Sequence, residues 1–204
     1  MASHDYQDLD EKYSESEKLI ISILPLGEIS NGEVVLVRDS ISLFCNCQVR
    51  ILDRIERDEQ IMHYENWINP FQKNVFEFLV SFLTSKQEKI IAITDIPFKF
   101  YANDSSEATI RGISNITSTI ISNVQIKRDA SNYDINYEYL LVKVVKHELG
   151  HMLGIMELTG KYGHCPDKSC IMTSSFPTPD NFINSKYFCN NCIGILNTKI
   201  DTKR

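Results

Sequence analysis

The stretch HELGHMLGIMELTGKYGHC, residues 147–165, decides how the rest of the chain is read. His147, Glu148 and His151 satisfy H-E-x-x-H. At 100° per residue the two histidines lie about 40° apart around a helix and roughly 6 Å apart along it, so both imidazoles can reach one metal ion. Glu148 points into the adjoining sector, beside the metal but not on it. A straight helix cannot supply a third ligand, because position 157 would fall about 240° beyond His151 and roughly 9 Å further along. The chain must turn, and Gly154 is the residue able to adopt a left-handed conformation there.

Two candidates for the third ligand follow. Glu157 stands at the nominal position after Gly154, and carboxylate oxygen is an accepted zinc ligand. His164 comes seven residues later, behind Gly160 and Gly163, which suit a looped-out excursion whose ends return close together. Adjacent residues in an extended stretch project to opposite sides, so His164 can face one metal while Cys165 faces another. Cys165, Cys170, Cys189 and Cys192 form C-x4-C followed by C-x2-C, a zinc spacing rather than a secreted disulfide framework. Four thiolates make a closed tetrahedral site, which is a structural arrangement; the few apolar residues between 165 and 192 leave metal binding to supply much of that segment's folding energy.

Zinc lowers the pKa of a coordinated water from near 16 to about 7, and a neighbouring carboxylate can take its proton as it attacks a polarised carbonyl. The pattern therefore predicts peptide-bond hydrolysis by a zinc-activated water with Glu148 as general base. The alternative is a catalytically silent zinc-binding or interaction protein whose third ligand position is disrupted. An intact Glu148 argues against it, since a binding-only protein has no need of a base.

The remaining composition narrows the partners. The chain has 204 residues, 43% hydrophobic and 24% charged, which suits one globular domain with small appendages. With 21 basic against 27 acidic residues the net charge is -6, and no basic block offers a nucleic-acid or membrane footprint. Residues 1–17 read as a disordered polar tail without a signal peptide, and Leu19–Leu26 is too short to span a bilayer. A cytoplasmic monomer acting on small peptides or unfolded polypeptide is expected, with no nucleic-acid or membrane partner.

Residues 18–26 (KLIISILPL) read as a strand ended by Pro25 and Gly27, and Val34, Val37, Ile41 and Phe44 give a helical stripe capped by Ser30 or Asn31. QVRILDRI (48–55) reads as a second strand. Asn69-Pro70 opens a helix with Val75, Phe78, Leu79, Phe82 and Leu83 on one face. KIIAITDIP (89–97) is apolar enough for a central strand, and two further β-prone stretches lie around TIRGI and STIISNVQIK. A long helix starts near Asn136 and carries the histidines. The fold class is α/β (α+β), a twisted mixed sheet backed by helices with the histidine helix across it. Cys45 and Cys47 are expected as buried thiols without metal, Tyr133, Tyr137 and Tyr139 as helix packing, and His4, His63 and Trp67 carry no assigned role.

Removing residues 157–163 joins HELGHMLGIM to HCPDKSCIM and restores H-E-x-x-H-x-x-G-x-x-H-C-x4-C-x-M. With Cys189 and Cys192 beyond it and ILPLGE as opening strand, the chain resembles the archaemetzincins, a metzincin family coupling a catalytic zinc to a cysteine-bound one. The resemblance implies a metzincin-like catalytic domain over 18–164, a C-terminal segment 165–204 with a structural zinc, and two Zn2+ in all. It implies His147, His151 and His164 as catalytic ligands, Glu148 as base and Met172 as the Met-turn floor. The insertion ELTGKYG departs from the family pattern and leaves Glu157 as a rival ligand.

Overall fold

The computed structural model describes residues 19–56, 73–101, 107–155, 163–174 and 179–200. The expected tail, the helix start at Asn69-Pro70, His63, Trp67 and Glu157 lie outside them. The elements are β1 (Ile20–Leu26), α1 (Asn31–Phe44), β2 (Gln48–Ile51), α2 (Lys73–Val80), β3 (Glu88–Thr94), β4 (Phe98–Tyr101), β5 (Glu107–Ile110), β6 (Gly112–Ser114), β7 (Ser118–Ser122), α3 (Asn123–Asn132), α4 (Tyr137–Met152), α5 (Pro179–Asn184) and α6 (Asn190–Ile200).

Five strands form a mixed sheet in the order β2-β1-β3-β7-β6, with β6 antiparallel to β7 at one edge and the other pairings parallel. Strands β4 and β5 pair separately as an antiparallel hairpin. Successive side chains point to opposite faces, and the sequence uses both. Ile21, Ile23, Ile91, Ile93 and Ile121 pack with α1, α3 and α4, whereas Leu24, Leu26, Ile90, Ala92 and Ile120 pack with Val75 and Leu79 of α2 and with Phe98. The central β3 is covered on both sides, as its continuous apolar run requires.

Two expected elements are corrected. The second strand stops at Ile51, not Ile55. Ile23 and Pro25 both turn their carbonyls to this neighbour, accepting from Leu52 N–H and Ile55 N–H at 2.9 and 3.0 Å, so the N–H that Pro25 lacks leaves a gap in the ladder where Asp53 and Arg54 swing out. Pairing resumes only as a bridge between Leu26 and Ile55. The stretch STIISNVQIK is strand only to Ser122, whose hydroxyl accepts from Gln125 N–H and caps α3.

The histidine helix is anchored through its first turn. Asn136 caps it by accepting from Tyr139 N–H at 2.9 Å. Tyr137 Oη–H donates to Glu33 at 2.9 Å, and the same carboxylate accepts from Asn123 at 2.8 Å, Lys127 at 2.7 Å and Ser30 N–H at 2.8 Å. Glu33 thus joins the N-termini of α1, α3 and α4. Burial pushes its carboxyl up, but the bonds from Lys127, Asn123, Ser30 and Tyr137 outweigh it and hold the pKa at about 2, below the ordinary 4.5. A depressed carboxylate stabilises the fold fully above its unfolded pKa and loses that contribution as pH falls through the folded one. The expected result is about 3 kcal/mol of stability present above pH ~4.5 and lost toward pH ~2. Urea titrations of wild type and Glu33→Gln across that range check it, because the variant should lose this share of the acid slope.

Candidate metal centre

Helix α4 turns His147, Glu148 and His151 inward, and all three are buried. The helix ends at the Leu153 cap, and Gly154 follows at φ 102°, the left-handed turn that its position demands. Gly163 is also left-handed, at φ 71°, and delivers His164 back to the helix. One ring nitrogen from each of His147, His151 and His164 lies within 4.8 Å of the others. His164 stacks on His147 at 5.3 Å between ring centres and meets His151 edge-on at 4.9 Å.

The tautomers suit a metal. His147 Nδ1–H donates to the Ile171 carbonyl at 2.7 Å, which leaves the Nε2 lone pair facing inward. His151 Nε2 is 3.0 Å from that atom. The two facing Nε2 atoms can be met by a bound cation or by the Nε2–H of a neutral His151, and burial keeps both rings uncharged, lowering His147 to about 3 and His151 to about 2. Three neutral imidazoles with one position open are a donor set for catalytic zinc.

Glu148 is held at the adjoining strand edge. Ser114 Oγ–H donates to its Oε2, and Ser114 Oγ also contacts Thr119 Oγ1, which ties the carboxylate to β6 and β7. Gly112 makes the room, since a Cβ there would stand 2.7 Å from Glu148 Oε1. Burial raises the Glu148 carboxyl to about 7, and the Ser114 bond lowers it only in part. Neither Ser114 nor Gly112 carries a sequence signal, because each is more than thirty residues from Glu148.

Phe182 of α5 is a further residue that sequence reasoning missed. Its ring meets His147 edge-on at 5.1 Å. Lys143, one turn before His147, donates to the Ile183 carbonyl at 2.8 Å and to the Ser185 carbonyl, which satisfies the C-terminus of α5 and fixes Phe182 against the histidine. The Lys143 ammonium also lies 5.3 Å from the Phe182 ring centre, and burial holds its pKa down at about 8.

The sulfurs of Cys165, Cys170, Cys189 and Cys192 likewise lie within 4.8 Å of one another. Cys165 and Cys189 are 3.6 Å apart, close to the roughly 3.8 Å edge of a tetrahedral zinc thiolate site, and Cys189 N–H points to Cys170 Sγ at 3.4 Å. Consecutive residues His164 and Cys165 therefore serve different clusters. Met172 is fully buried, with its sulfur against the histidine helix at Gly150. A Cβ at Gly150 would sit 2.4 Å from Met172 Sδ and 3.1 Å from Ile155 Cδ1. Alanine gains about 1 kcal/mol in helix propensity over glycine, whereas overpacking costs about 1–3. Gly150→Ala is therefore expected to lower stability by up to ~2 kcal/mol in denaturant titration. Of the tyrosines, Tyr137 belongs to the Glu33 network, while Tyr133 and Tyr139 are exposed.

Two histidines of α4 thus meet a third from beyond its end, and the cysteine cluster begins one residue further on. A family model described as Peptidase family M54 matches residues 32–198. The chain belongs to peptidase family M54. Among M54 relatives, the archaemetzincin of Sulfolobus acidocaldarius is 43% identical over 56 residues, 28% of this chain and 28% of that protein. The archaemetzincin of Thermococcus kodakarensis is 32% identical over 80 residues, 38% of this chain and 39% of that protein. The matched segments thus span well under half the length of either relative. The M54 fold extends further: the crystal structure of archaemetzincin from Methanopyrus kandleri superimposes with a TM-score of 0.64 at 17% identity, covering 92% of this chain and 98% of that one. That of the Archaeoglobus fulgidus archaemetzincin, complexed with malonate, gives 0.59 at 18% identity over 86% and 99%.

Proposed function

We propose that the chain is a zinc metallopeptidase of archaemetzincin type, hydrolysing peptide bonds of small or unfolded polypeptides as a monomer. The observation that carries this is the convergence of the three histidine nitrogens beside a buried carboxylate. His147, His151 and His164 would hold the catalytic zinc, and Cys165, Cys170, Cys189 and Cys192 a second, structural one that organises the segment from Cys165 onward. Zinc, when bound, supplies Lewis acidity that polarises the scissile carbonyl and makes water acidic enough to lose a proton near neutral pH.

The protein's own groups do the rest. Glu148 takes the proton of the attacking water and passes it to the leaving amine, so it must be near neutral-pH basicity and oriented; Ser114 anchors Oε2 and leaves Oε1 for the proton. Ile171 fixes the His147 tautomer, Phe182 its ring plane, and Met172 closes the floor under Gly150. Among the described residues no helix is long and apolar enough to cross a membrane. A reducing cytoplasm suits four cysteines held as metal ligands.

Zinc content and hydrolysis of an unstructured peptide test the reading together. Wild type is expected to hold two zinc ions, and His164→Ala one, with hydrolysis lost. Two ions retained in His164→Ala would move the third ligand to Glu157.

A further inference from the structure

The C-x-C pair at the end of α1 is used by neither metal cluster. Cys45 is buried and Cys47 half-buried, and their sulfurs stand 3.1 Å apart. Among the described residues no third histidine, cysteine or carboxylate joins them as a metal-ligand group. Their spacing is also wrong for an ion. Two thiolates on a tetrahedral zinc stand roughly 3.8 Å apart, and the Cys165–Cys189 edge fits that at 3.6 Å, whereas this pair stands inside it, with Cys45 S–H donating to Cys47 Sγ.

The backbone accounts for the contact. Cys47 N–H donates to the Cys45 carbonyl at 2.9 Å, a three-residue turn about the exposed Asn46 that turns both side chains to one side. Two peptide links closed by that bond leave the Cα atoms roughly 5.5 Å apart, within the usual range for a disulfide. Both ends of the turn are anchored. Cys45 N–H closes α1 on the Ile41 carbonyl at 3.0 Å, and Gln48 N–H starts the β2 ladder on the Leu19 carbonyl at 2.9 Å. The neighbouring Phe44 ring packs on Phe188 at 5.2 Å. The thiols are therefore held in contact at no further cost in chain entropy.

We infer that Cys45 and Cys47 form a redox-active dithiol that a small-molecule disulfide closes to an intramolecular disulfide. Cys47, the more exposed sulfur and the one that faces the Cys45 S–H, loses its proton to water and attacks one sulfur of the small disulfide, expelling the first thiolate, which takes up a proton in turn. Cys45 then attacks Cys47 Sγ in the mixed disulfide, its proton passing to the second thiolate as that group departs. Two electrons and two protons pass from the protein to the reagent, which leaves as two thiols.

The test uses the zinc-loaded full chain and oxidised glutathione. Trypsin releases Asp39–Arg50, which contains Cys45 and Cys47 and no other cysteine. After oxidation and quenching with N-ethylmaleimide this peptide is expected unlabelled and lighter by two hydrogens, and after dithiothreitol it should carry two labels. Cys45→Ser should instead trap glutathione on Cys47. Two labels after oxidation, or a persisting glutathione adduct on the wild-type peptide, would overturn the inference. The wild-type peptide alone decides the matter if Cys45→Ser does not fold.

Discussion

Glu148→Gln is expected to lower peptide hydrolysis by about 10²–10⁴-fold, the usual worth of a general acid–base group, while zinc content and fold stay as in the wild type. The substitution keeps the shape of the side chain, which matters because the carboxylate packs directly against Gly112. It keeps an acceptor for Ser114 as well. What it removes is the ability to take a proton from water and return it to the amine. Measuring kcat/KM and zinc content on the same preparation separates loss of the base from loss of the metal. Wild-type turnover in Glu148→Gln would dismiss the proposed mechanism.

The second large effect concerns stability. Cys170→Ser is expected to cost one zinc per chain and about 5 kcal/mol, a fraction of the ~10–16 kcal/mol that structural zinc supplies in small modules, lowering Tm by ~10–20 °C. Cys170 is fully buried, and its neighbours Cys165, Met172, Cys192, Ile195 and Leu196 make a small cluster apart from the two faces of the sheet. With so little apolar area to bury, the segment would depend on a metal held by the four cysteines. Zinc analysis and a melting curve check this, and an unchanged Tm with full zinc would remove the structural role.

Much of this architecture could be read from local signals. Ser30 with Glu33 three residues on spells a capping box, and α1 starts there. Asn136 caps the histidine helix, and the unbroken apolar run of β3 marks the central strand. The errors arose where two signals competed. In STIISNVQIK the β-branched run Thr119–Ile121 and the alternating Val124 and Ile126 outweighed Ser122 with Gln125 three residues on, itself a helix-start pattern. In QVRILDRI nothing local reveals that Pro25, on the neighbouring strand, withholds a donor. The site divides in the same way. Helical spacing brings His147 and His151 together from sequence alone, but beyond Gly154 the helix geometry ends, and the opposite projection of His164 and Cys165 favours His164 while leaving Glu157 as a rival. Only the return of the chain at Gly163 brings His164 to the other two rings. Ser114, Phe182 and Lys143 meet the site through tertiary packing, which spacing along one helix cannot encode.

His164 and Cys165 are neighbours in the chain, and so are Cys170 and Ile171, whose carbonyl orients His147. Each of these two peptide links has one end in the histidine cluster and the other in the cysteine cluster. In the two-zinc reading, ordering one cluster prepays part of the cost of ordering the other, so each ion acts as an allosteric effector of its partner. By thermodynamic reciprocity the factor by which either raises the other's affinity is the same in both directions, typically about 5–150-fold. In that reading, chains carrying a single ion would be scarcer than two independent sites allow.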